Sequence, residues 1–241
     1  MRANVLRSLL ACAAGLLLAG GAGAANLQIS PVSIAFQPSQ AAAGINLQNF
    51  GDAPLYGQVR VYAWDQKDGV DVLTPTTDVV ASPPIIEIAA NSTQTIRLVR
   101  RNAGGAADER SYRILIDEIP RGDTGTGVAI RLQYSVPVFV APAAGGAAPA
   151  LTFSLGRRDG NLVLRTENGG NLHAQLGATR LRTAAGADVE LSKGLLGYAL
   201  AGRGREWQLA KDKAAGLTGP LTVIANVNAR ELSFPVAPPA D

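Results

Sequence analysis

Cysteine and histidine are almost missing from this chain, which has one of each in 241 residues. A lone cysteine can form no intramolecular disulfide and no cysteine-based zinc site. A lone histidine excludes a histidine-rich metal centre, and His173, set between Leu172 and Ala174, reads as a surface strand residue. There is no nucleophile elbow and no glycine loop of the kind that cradles phosphates. Asp117 and Glu118 are adjacent, so on a strand they point to opposite faces and cannot act as an acid/base pair. Asp65, Asp68 and Asp71 lack the spacing and the closing glutamate of an EF-hand. These absences argue against an enzyme and imply no metal or other cofactor. An excess of positive charge is lacking too. The formal net charge is +3, but two of the arginines, Arg2 and Arg7, lie at the extreme N-terminus. Without them the balance is close to neutral, which gives no reason to expect nucleic acid.

The sequence is rich in short apolar runs and in turn residues. It is 47% hydrophobic and 17% charged, which excludes a mainly disordered chain, and its 27 glycines and 14 prolines exceed what a helix bundle uses. Residues 1–25 have a basic start, an apolar run from Leu9 to Ala19 and a cluster of small residues to Ala25, the pattern of a secretory signal peptide. That run is too short and too rich in glycine to span a bilayer. Cys12 falls within it. The mature chain is therefore expected in an envelope compartment that permits disulfides, free of cysteine, without stable membrane insertion and held together by packing alone.

No long helical period follows. Apolar residues alternate over short stretches, with turn residues every 8–12 positions, which predicts an all-β protein of sandwich type. In the first half the expected strands are Leu27–Phe36, Ala43–Asn49, Leu55–Trp64, Ile85–Ala89, Thr93–Arg100, Ser111–Ile119 and Val128–Val140. Ala141–Ala150 reads APAAGGAAPA, with no charge and no large side chain to bury, and is expected to be a linker. Seven more strands are expected after it, at Leu151–Leu155, Asn161–Thr166, Ala174–Arg182, Val189–Leu191, Trp207–Leu209, Leu221–Val227 and Glu231–Val236. The expected layout is a signal peptide at 1–25, a domain at 26–140, a linker at 141–150 and a second β-domain at 151–241.

Three stretches of the first domain, PPIIEIAANSTQTIRLVRR (83–101), RSYRILIDEIP (110–120) and VAIRLQYSVPVFVAP (128–142), follow SPVSIAF near the start and VRVYAW in the third strand. In that order and spacing they resemble the periplasmic pilus-assembly chaperones of the PapD-like family. The resemblance implies two immunoglobulin-like β-sandwich domains set at an angle. It implies binding of pilin or fimbrial subunits by donor-strand complementation, and their delivery to an outer-membrane usher. A pilin, in this scheme, is an immunoglobulin-like domain without its last strand, and the chaperone lends one. A secreted pilin or adhesin subunit is the alternative; it would have an incomplete sandwich and a polar donor tail before its first strand.

Within Val128–Val140, the residues Val128, Ile130, Leu132 and Tyr134 share one strand face. Under the resemblance they are the donor row. The same alternation also describes an ordinary strand facing its own core, and that reading is kept for Val136–Val140, where both faces are apolar. Better-known members of the family hold the pilin's terminal carboxylate with two basic residues. Here those positions align with Ser33 and Pro137, neither of which is a cation. YRILIDEIP followed by YSVPVF resembles instead the archaic branch, associated with spore-coat-U-type pilins. Another cation must then meet the carboxylate. Arg97 and Arg113, which interrupt the apolar runs TIRLV and YRILI, are the candidates, against the alternative of a solvated strand face for each.

Overall fold

The computed structural model describes residues 27–101, 105–120, 131–214, 217 and 219–237. The expected signal peptide, Val128 and Ile130 lie outside them. The first ten strands are β1 (Leu27–Ser30), β2 (Ile34–Phe36), β3 (Ala42–Asn49), β4 (Leu55–Lys67), β5 (Val70–Pro75), β6 (Val79–Ser82), β7 (Ile85–Ile88), β8 (Thr93–Arg100), β9 (Arg110–Glu118) and β10 (Gln133–Val140). They make a four-stranded sheet, β1-β3-β8-β6, and a six-stranded sheet, β2-β10-β9-β4-β5 with β7 beside β4. Period-two alternation turns one face of each sheet inward. Ile45 and Leu47, Ile96 and Leu98, Ile114 and Ile116, and Val136, Val138 and Val140 are buried against one another. Each such side chain contributes about 1.5–3 kcal/mol on leaving water.

The first expected strand is in fact two. Pro31 has no N–H to give a ladder, and the chain crosses there from one sheet to the other. Leu27–Ser30 pairs antiparallel with β3, whereas Ile34–Phe36 pairs parallel with Val138–Val140 of β10. β5 and β6 were not expected. β5 is exposed at most positions, so it shows no alternation to read.

The remaining strands are β11 (Leu151–Arg158), β12 (Asn161–Asn168), β13 (Ala174–Thr183), β14 (Asp188–Ser192), β15 (Gly197–Ala199), β16 (Gly204–Gln208), β17 (Leu221–Val227) and β18 (Arg230–Ala237), with one short helix, α1 (Lys211–Ala214). They pair in the order β14-β13-β17-β18-β11-β12-β16, with β15 beside β13, around a separate core that includes Leu164, Leu176, Leu181 and Val223.

The two cores meet at a third, smaller one. Trp64 and Phe139 of the six-stranded sheet are buried with Tyr198 and Leu200 of the second domain. Beside it, the buried Gln66 amide donates to the Tyr198 carbonyl (2.8 Å) and accepts the Leu200 N–H (3.0 Å), pairing with the backbone as a neighbouring strand would. The β4–β5 turn is seated on β16, where the Gly69 carbonyl accepts the Glu206 N–H (2.9 Å) and Arg205 Nη1 (2.7 Å). Gly69 is required there: its φ is +74°, and a Cβ would lie 2.5 Å from Glu206 Cγ.

Candidate functional site

β10 is paired along its whole length with β9, from Gln133 opposite Asp117 to Val140 opposite Arg110. Its other edge is covered by β2 only at Val138–Val140. Among the described residues, Gln133–Pro137 therefore presents an unpaired backbone edge. Such an edge is a ready template for another strand unless it is blunted. Pro137, lacking an N–H, suits this edge position.

The two faces of β10 do different work. Val136, Val138 and Val140 fill the first domain's own core. Tyr134, on the same face, is half-buried at the rim of that core. Leu132, just before the strand, is also half-buried, and its carbonyl accepts the Glu118 N–H at 3.2 Å. On the opposite face Phe139 is buried in the inter-domain cluster, which explains the apolar residues on both faces of Val136–Val140. Gln133 and Ser135 on that face are exposed. Beside the open edge, Leu27, Ile29 and Val32 face Tyr134, Ser135 and Val136 across an apolar groove of about 270 Å³. Val32 is 77% exposed.

A polar network flanks the start of the edge. Asp117 accepts the Gln133 side-chain amide and, at 2.6 Å, Arg60 Nη2. The Gln133 amide, with Arg60 behind it, holds the Asp117 carboxyl below the usual carboxylate range.

The structure separates the two candidate arginines. Arg97 is exposed on the outer face of the four-stranded sheet, in register between Gly44 and Ser82. Arg113 lies on the outer face of the other sheet, so the core of the sandwich stands between them. Arg97 does not face the second domain: the strands that meet that domain are β4, β5, β9 and β10, none of them partners of β8. Arg113 is directly opposite Pro137, and the parallel Ile34–Val138 pair sets Ser33 beside Pro137. The guanidinium lies 3.7 Å from the Trp64 ring centroid and 5.2 Å from that of Tyr198. Burial pushes its pKa down, opposed by Tyr198 and Asp71; it remains a cation. Among the described residues it has no ion-pair partner. Arg100, three positions from Arg97, is buried, and its Nη1 donates to the carbonyls of Gln37, Pro38 and Gln40 at 3.0–3.1 Å. It clamps the β2–β3 turn and belongs to the fold.

The joint beside this site escaped the sequence. His173 was expected on the surface of a strand, but its ring stacks on Phe139, from the other domain. No signal in either local stretch links the two.

Residues 26–145 match the family model described as the pili and flagellar-assembly chaperone, PapD N-terminal domain. No curated protein matches the chain in sequence. Solved structures share the fold. One is a chain of the CsuC–CsuE chaperone–tip adhesion subunit pre-assembly complex, from the archaic chaperone-usher Csu pili of Acinetobacter baumannii. It is 22% identical with a TM-score of 0.70, over 90% of this chain and 100% of that one. The YadV chaperone is 18% identical with a TM-score of 0.63, over 87% and 99%. The third is the Salmonella enterica SafA pilin in complex with the SafB chaperone, 16% identical with a TM-score of 0.61, over 89% and 97%.

Proposed function

Because the chain belongs to the PapD-like pilus-assembly chaperones, we propose that it holds fibre subunits by lending them β10 as a strand and passes them to an outer-membrane usher. The observation that carries this reading is the open edge at Gln133–Pro137 beside an apolar groove. A subunit that lacks one strand would complete its ladder along that edge and insert between the sheets' rims. Leu132 and Tyr134 belong to the row that fills the subunit's pockets, and the row is proposed to continue through Ile130 and Val128. The work is binding, not catalysis. It takes place in the periplasm, after removal of residues 1–25. The absence of a cation at Ser33 and Pro137, together with the likeness to the Csu complex, supports a place in the archaic branch. Arg113, directly opposite Pro137 with Ser33 on the far side of that strand, and without an ion-pair partner among the described residues, is then the anchor for the subunit's terminal carboxylate. A guanidinium can hold both carboxylate oxygens at once.

The test is coexpression with candidate pilins, followed by copurification. Leu132→Asp should abolish subunit recovery, since a carboxylate would have to enter an apolar pocket, while leaving the chaperone's thermal unfolding unchanged. Normal recovery would refute the donor role. Arg113→Ala should weaken binding roughly tenfold to a hundredfold, and Arg97→Ala should leave it at the wild-type level. Equal recovery from wild type and Arg113→Ala would remove the anchor and leave the chaperone reading standing.

A further inference from the structure

The bed on which Arg113 rests is itself held in place from one side. The guanidinium carbon lies 3.7 Å from the Trp64 ring centroid and 5.2 Å from that of Tyr198, so each domain supplies one ring. Trp64 meets Tyr198 edge-on, with centroids 5.3 Å apart and planes at 82°, and tilts against Phe139 at 6.0 Å. At its other edge the indole Nε1–H donates to Asp71 Oδ1 of β5 at 3.1 Å. The same oxygen accepts the Gln66 side-chain amide at 2.9 Å. Asp71 Oδ2 lies 3.3 Å from Arg205 Nη2 of the second domain. Trp64 and Gln66 are buried, and buried donors need a protein partner. One carboxylate therefore grips the indole, the amide that joins the two domains and a guanidinium from the far side of the joint.

Asp71 acts on Arg113 without pairing with it. The other arginines around the joint are matched: Arg60 with Asp117, Arg203 with Asp65 and Arg205 with Asp71. Arg113 has no such partner among the described residues, and Asp71 favours its charge only from a distance. The difference matters chemically. An ion pair would occupy the N–H fork of Arg113. A guanidinium lying over aromatic faces keeps its donors, which lie in its own plane, open to an incoming carboxylate. That geometry lasts only while the indole beneath it stays where it is.

We propose that Asp71 is a positioning residue for the carboxylate anchor. By holding the edge of the Trp64 indole it fixes the place and aim of the Arg113 guanidinium. By holding Gln66 and Arg205 as well, it ties that aim to the docking of the second domain, which brings Tyr198. The subunit's terminal carboxylate is then met by a cation from one domain on a bed built by both. The effect on subunit binding rests on the anchor reading above; the placing of Arg113 by Asp71 does not.

The mature chain tests both parts. Its Arg113 Nε–H resonance, assigned by its loss in Arg113→Lys, should be displaced upfield by the Trp64 face. Asp71 lies on an edge strand with its side chain 39% exposed, so substitution there leaves the sandwich standing. Asp71→Ala should return the resonance toward the ordinary arginine position. Asp71→Asn, whose amide oxygen still accepts the indole N–H, should keep most of the displacement. Recovery of a copurifying pilin should fall roughly threefold to tenfold in Asp71→Ala and be largely restored in Asp71→Asn. In an Arg113→Ala background, Asp71→Ala should cost nothing more, because the two residues act through one contact. An equal loss with and without Arg113 would mean a merely structural Asp71 and would overturn the proposal. So would an Arg113 resonance unmoved by Asp71→Ala, or an Asp71→Asn chain as impaired as Asp71→Ala. If Arg113→Ala binds like wild type, the anchor reading falls, and if no candidate pilin binds, the chaperone reading does. In either case the resonance still decides whether Asp71 places Arg113.

Discussion

The two domains are built on one plan, and a buried asparagine shows it. Asn49 ends β3, where its side-chain amide reaches the carbonyls of Ala53, Ile88 and Ala89 and its oxygen accepts the Gly51 N–H. Asn168 ends β12 and does the same with Leu172, Ala199, Leu200 and Gly170. The pairings correspond as well: β3 with β8 and β12 with β16, β4 with β9 and β13 with β17, β9 with β10 and β17 with β18. The difference lies at the last strand. In the second domain the stretch of β18 that β11 leaves uncovered carries Arg230 and Glu231, charged residues that discourage another strand from adding. In the first, the open edge of β10 has no charged residue and borders an apolar groove. The same architecture has a charged free edge in one copy and an uncharged one in the other.

Four experiments would break or sharpen this comparison. Asn49→Ala and Asn168→Ala should have the largest effects, each costing about 2–4 kcal/mol because several buried backbone groups lose their partner together. Denaturant unfolding should give similar losses for the two, and a large loss from only one would end the equivalence. Gln66→Ala should cost about 1–3 kcal/mol by orphaning the Tyr198 carbonyl and the Leu200 N–H. Calorimetry should then resolve two transitions, one for each domain. Replacing Arg230 and Glu231 together with valine should leave the fold intact and produce self-association, visible by sedimentation as a concentration-dependent dimer. A strictly monomeric variant would show that charge is not what closes that edge.

The smallest effect concerns acid. Burial raises the Asp65 carboxyl, but hydrogen bonds from the Arg203 side chain and the Gln66 N–H outweigh it, so its pKa is lowered. A lowered carboxylate stabilises the fold above its unfolded pKa, and that stability is lost as pH falls through the folded value. Wild type should therefore exceed Arg203→Ala slightly in thermal stability near neutrality, with the advantage vanishing below about pH 4. The pair is solvent-screened, which keeps the difference small.

What the sequence determined by itself was local. Thr93–Arg100 could be read as a strand to the residue, because Ile96 and Leu98 alternate with polar neighbours and turn residues bound them. Tertiary structure decided everything that depends on which strands are neighbours. TIRLV and YRILI look alike, each with one arginine breaking an apolar run, yet β8 and β9 belong to different sheets, and only Arg113 meets the second domain. Leu27–Phe36 reads as one strand, but its parallel pairing with Val138–Val140 splits it and leaves Gln133–Pro137 uncovered. His173 and Phe139 are far apart in the chain, and each sits in an ordinary local pattern. Their contact arises because burial is decided across the boundary between two sandwiches, where no short-range period carries the information.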